Sequence, residues 1–69
     1  MAESFPTIGR RYRFTFIHGS TVTGTYQGRF HMGNRDTQAY YFSVKTANSR
    51  GKGFTASYNE ASLVSFRRV

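Results

Sequence analysis

The sequence predicts an all-β fold, a small five-stranded barrel, on three observations. Side-chain character alternates with period two through several segments, which is the pattern of a half-buried strand. Seven Phe and five Tyr in 69 residues supply large rings that fill a small core with few side chains. Clusters of Gly, Asn, Ser and Asp punctuate the alternating runs, and no helical periodicity of useful length interrupts them.

The hairpin over Arg11 to Met32 organises the rest. In the first strand, predicted over Arg10 to Ile17, Tyr12, Phe14 and Phe16 point one way and Arg11, Arg13 and Thr15 the other. His18-Gly19-Ser20 forms the turn, where glycine is free to take the positive φ that a tight hairpin demands. The second strand is predicted over Thr21 to Met32. Val22, Gly24, Tyr26, Gly28, Phe30 and Met32 share its apolar face, and Thr21, Thr23, Thr25, Gln27, Arg29 and His31 share the other. Two glycines on an apolar face mark a bulge, a bend or a close backbone approach. A strand bent at such points serves two sides of a barrel.

The remaining elements follow in order. Residues 33–37 form a polar turn. A third strand over Gln38 to Thr46 sets Tyr40, Phe42 and Val44 on one face and Ala39, Tyr41, Ser43 and Lys45 on the other. Residues 47–53 read as a flexible basic loop. A fourth strand over Phe54 to Tyr58 turns Phe54, Ala56 and Tyr58 inward. Asn59 to Ser62 is the length of one 3₁₀ turn. The last strand, Leu63 to Arg68, is expected to bury Val64 and Phe66, with Leu63 packed at the turn. The expected core rings are Tyr12, Phe14, Phe16, Tyr26, Phe30, Phe42, Phe54 and Phe66. Residues 10–69 thus make a single small domain, and residues 1–9 an arm. Phe5 and Ile8 in that arm would either plug an open end of the barrel or dock on a neighbouring subunit. Closure of the sheet would remove its exposed edges.

Composition bounds the chemistry. There is no cysteine, hence no disulfide framework or thiolate metal site. Two histidines and three acids are too few for a buried metal centre or a paired-carboxylate site, so no metal, cofactor or catalytic residue is assigned. His18 in a turn and His31 at a strand end read as surface residues. Ser49-Arg50-Gly51-Lys52-Gly53 lacks the spacing of a phosphate loop and the helix that must follow one. No apolar run approaches the ~20 residues of a membrane span, and no leader-like segment is visible. The expectation is a cytoplasmic protein that does not enter membranes.

Charge points to the partner. Lys plus Arg number ten against three Asp plus Glu, a formal net charge of +7, and eight of the ten are Arg. Such a small basic domain fits a polyanion, most often nucleic acid. The predicted outward face carries Arg11, Arg13, Arg29 and Lys45. Arg50 and Lys52 add a basic loop, and Arg67 and Arg68 a basic tail. Tyr41, on the same face as Lys45, would either stack on an unpaired base or simply pack over the sheet.

A family resemblance bears on the fold. The stretch Ile17-His18-Gly19-Ser20-Thr21-Val22-Thr23-Gly24-Thr25-Tyr26 resembles the opening motif of Sm-like proteins, a family that includes bacterial Hfq. The ending Tyr58-Asn59-Glu60-Ala61-Ser62-Leu63-Val64-Ser65-Phe66 resembles the close of that fold. The resemblance implies an SH3-like or Sm-like barrel, with an OB barrel as the alternative, and assembly of copies through free strand edges. The family's acid and Met-Asn pair are not reproduced. His31 stands at the acid's place and Gly33 separates Met32 from Asn34, so the family's base pocket is not carried over. Lys52-Gly53-Phe54 looks like a fragment of the RNA-binding strand of cold-shock and RRM domains, but Ala56 stands where the next ring belongs.

Two functions fit these residues. The first is a non-catalytic protein that binds RNA or single-stranded DNA, because no helix is available for a major groove. The second is a small interaction module or inhibitor, of phage or plasmid type, docking on an acidic surface of a partner protein. Either would be compatible with a homo-oligomer.

Overall fold

The computed structural model describes residues 4–36 and 38–69; the start of the arm and Thr37 of the predicted turn lie outside them. Five antiparallel strands form one sheet: β1 (Arg11–Phe16), β2 (Thr21–Gly33), β3 (Gln38–Ala47), β4 (Gly53–Asn59) and β5 (Leu63–Arg68). Their order is β4-β3-β2-β1-β5. The all-β expectation is met, and each strand lies within a residue or so of its predicted span. A 3₁₀ turn, Glu60–Ser62, joins β4 to β5, and the Asn59 side chain caps it by accepting from the Ala61 amide. Among the described residues no ladder joins β4 to β5.

The core lies where the alternation puts it. Tyr12, Phe14, Phe16, Tyr26, Phe42 and Val44 are buried, with Val22, Tyr58, Leu63 and Phe66 packed against them. Phe14 is central: its ring lies 5.2 Å from Phe42, 5.9 Å from Tyr12 and 6.4 Å from Phe66. Rings from all five strands therefore meet on one side of the sheet, so the sheet is wrapped around them. Gly24 leaves no room for a side chain between β2 and the Val44–Lys45 backbone of β3. A Cβ at this position would stand 2.5 Å from the Lys45 carbonyl oxygen.

Four expected core positions turn out differently. The register of β2 on β3 runs Tyr26↔Val44 and then Gly28↔Ser43, so Gln27 is an extra residue. Gly28 takes φ +129° at this bulge. Because side chains alternate faces strictly, one inserted residue reverses every assignment beyond it. Phe30 therefore pairs with Tyr41 on the outer face, while Arg29 pairs with Phe42 and His31 with Tyr40 on the inner side. Met32, past the reversal, is exposed. A second irregularity lies in β5, where Thr15↔Ser65 is followed by Phe16↔Leu63. Leu63 takes the inward place and Val64 is pushed out, 62% exposed. Phe54 is also exposed, at 46%, because it lies near the start of β4, an edge strand that among the described residues pairs with β3 alone.

The arm docks through its backbone. The Thr7 amide donates to Tyr12 Oη at 2.8 Å and the Gly9 amide to the Tyr26 carbonyl at 2.8 Å. Phe5 and Ile8 stay mostly exposed. Phe5 and Pro6 line a small cavity of about 210 Å³ together with Tyr26, Phe42, Leu63 and Phe66.

Candidate nucleic-acid interface

The outer face of the sheet is built from the polar half of each alternation. Register converts those residues into rows that cross the strands. One row runs Arg67, Arg13 and Thr23 across β5, β1 and β2. The next runs Arg11, Thr25, Lys45 and Thr55 across β1, β2, β3 and β4. Two further rows follow along β2 and β3: Gly28, Ser43 and Ser57, then Phe30, Tyr41 and Asn59. Successive rows are two residues apart, about 6.8 Å, except on β2, where the bulge makes the step from Thr25 to Gly28 three residues.

Four predicted cations are thereby gathered: Arg11, Arg13, Lys45 and Arg67, all exposed. The threonines between them are short and half-buried, so the cations stand above the floor. Among the described residues the acids are Asp36, in the β2–β3 turn, and Glu60, in the 3₁₀ turn. Neither lies in these rows. Tyr41 is on this face as expected, and its ring stacks with that of Phe30, centroids 5.8 Å apart and planes 19° apart.

Other predicted residues lie elsewhere. Arg29 is turned to the opposite side by the Gly28 bulge. There its Nε donates to Glu60 Oε2 at 2.7 Å and its Nη2 to Oε1 at 3.0 Å, and its guanidinium lies 3.9 Å from the Tyr40 ring centre. The hydrogen bond to Glu60 raises its pKa further, so Arg29 is a committed cation that ties β2 to the 3₁₀ turn. Burial, with a smaller contribution from Glu60, raises the pKa of the neighbouring Tyr26 phenol, against a lowering by Arg29. Arg68 stands across from Tyr12, on the face opposite Arg67, so the tail is split between two sides.

Arg50 and Lys52 occupy the β3–β4 loop, beyond the end of β3 that carries Lys45. This loop is not the slack segment its composition implies. Asn48 Oδ1 accepts from the Arg50 amide at 2.9 Å and the Lys52 amide at 3.0 Å, and the Gly51 amide donates to the Asn48 carbonyl at 2.9 Å. An asparagine side chain closing its own turn in this way is the reason Asn recurs in turns.

Phe30 is the residue of this face that sequence reading assigned to the core. The signal for it was Gly28, a glycine in mid-strand, whose bulge reverses the alternation. Among the described residues, no group of three His, Asp or Glu side chains is arranged to hold a metal ion. No helix among them is long and apolar enough to cross a membrane.

No protein-family model matches this chain, and neither curated proteins nor solved structures give a match.

Proposed function

We propose that this chain is a non-catalytic nucleic-acid-binding protein that takes single-stranded RNA or DNA on the outer face of its sheet. The observation that carries this reading is the acid-free set Arg67, Arg13, Arg11 and Lys45, in adjacent rows, with the Phe30–Tyr41 rings on the same face. Phosphates supply affinity to such a surface, and half-exposed rings such as these favour unpaired bases over a stacked duplex. Among the described residues no strand pairs with the outer edges of β4 and β5, and copies would assemble into a homo-oligomer through them.

The test is fluorescence anisotropy with labelled single-stranded RNA, single-stranded DNA and duplex DNA at two salt concentrations. Single strands are expected to bind more tightly than duplex, with affinity falling steeply as salt rises. The Arg11→Ala/Arg13→Ala double variant should weaken binding by about tenfold or more, through lost charge-assisted contacts. Tyr41→Ala should remove one stacking contact, about 1–3 kcal/mol, from single-strand binding and leave weak duplex binding nearly unchanged. An absence of oligonucleotide binding even at low salt would instead favour an acidic protein surface as the occupant of this face.

A further inference from the structure

The β2–β3 ladder changes character beside the cationic rows. Thr25↔Lys45 is its last pair toward the start of β2. Beyond it, the Thr46 hydroxyl donates to the Thr23 carbonyl at 2.8 Å, so a side chain spans the gap between the strands. The result is an open cleft of about 550 Å³ lined by Arg11, Thr23, Gly24, Thr25, Lys45 and Thr46. Its lining holds two cations and three threonine hydroxyls, and no acid.

Register fixes how the cations stand. Arg11 and Lys45 both pair with Thr25, from opposite sides, so each is one strand spacing from it, about 4.8 Å. Both side chains are longer than this spacing and both are exposed, so each can turn to a group lying over Thr25, the Lys45 stem by swinging from its place beside Gly53. A phosphodiester suits that position: it carries one negative charge shared by two non-bridging oxygens. The arginine fork takes one oxygen, the lysine ammonium the other, and the Thr25 hydroxyl is placed to donate from below.

Resting on the nucleic-acid reading above, we propose that the Arg11–Thr25–Lys45 row is a seat for a single backbone phosphate, gripped by both cations at once. The rows give it neighbours. Arg13 and Arg67 lie one row away and hold the adjacent phosphate. On the other side, Gly28, Ser43 and Ser57 make a low floor, and Phe30 and Tyr41 lie in the row after that. From the first row to the last is about 20 Å, so the bound strand runs along β2 and β3, with its phosphates at one end and a stacked base at the other.

The test is the slope of log K against log salt for a single-stranded oligonucleotide bound to the full chain. Arg11→Gln, Lys45→Gln and the double variant keep most of each side chain, and circular dichroism checks their fold. Each phosphate neutralised on a single strand contributes about 0.7 to the slope. A shared seat predicts that either single variant leaves the slope nearly unchanged and that the double variant lowers it by about 0.7. A loss of about 0.7 in each single variant and about 1.4 in the double would assign the cations to separate phosphates and overturn the seat. Unchanged slopes in all three, with steep wild-type binding, would likewise overturn it while the nucleic-acid reading stood. If the wild-type chain bound no oligonucleotide, both would fall.

Discussion

Phe14→Ala is expected to leave little of the folded protein at 37 °C. Phe14 is fully buried and its ring meets Tyr12, Tyr26, Phe42 and Phe66. Truncating such a ring costs about 3–5 kcal/mol, the lost transfer energy plus the cavity left behind. A domain this short has about 3–10 kcal/mol in total, so most of its stability goes at once. Urea unfolding followed by far-UV circular dichroism reads the loss as a fall in midpoint. Val64→Ala is the matched control. Val64 lies outside the core at the β5 irregularity, so its truncation should change stability by less than about 0.5 kcal/mol. A Phe14→Ala midpoint close to wild type would mean that the rings do not form one core.

Gly24→Ala should produce the second large effect, from adding one methyl group. Its Cβ would stand 2.5 Å from the Lys45 carbonyl oxygen and 2.6 Å from Val44 Cγ1. The valine is itself fully buried, and the carbonyl is backbone, so neither yields by a simple rotation. Forcing extra volume into such a contact costs about 1–3 kcal/mol, a fall of about 5–20 °C in Tm for a chain of this size. Gly53→Ala provides the contrast: the nearest atom to its new Cβ would be 3.7 Å away, an ordinary contact. Thermal melts of the two variants side by side separate a packing requirement at Gly24 from a general cost of replacing glycine in a strand. Similar melts would remove the close approach as an explanation.

Most of the strand pattern was legible because each strand buries one face against the same core. Tyr12, Phe14 and Phe16 alternate with Arg11, Arg13 and Thr15 without interruption, and the outer cations of β1 could be read directly. Lys45 and Tyr41 were legible for the same reason. Arg29 and Phe30 were not. An extra residue leaves the written alternation intact while reversing it in space, and only a partner strand reveals the count. Val64 and Leu63 repeat the point on a smaller scale at Phe16. The Arg29–Glu60 ion pair joins residues 31 positions apart, and nothing local in the sequence marks one as the other's partner. The order of the loop holding Arg50 and Lys52 depends on one asparagine. Its composition of small and basic residues describes solubility better than stiffness.

The pairing of Arg13 with Arg67 across β1 and β5 has a thermodynamic consequence. Like charges directly opposite each other on a sheet repel, and the chain's +7 charge has few internal partners to offset it. The free protein thus folds against its own field, and dissolved ions that screen the field ease its folding. Were a polyanion bound on that face, as proposed, the same ions would compete for it, so salt would stabilise the empty protein and dissociate the loaded one. A polyanion bound here would supply part of the neutralisation that the sequence itself omits, and so act as a partner in folding as well as a ligand.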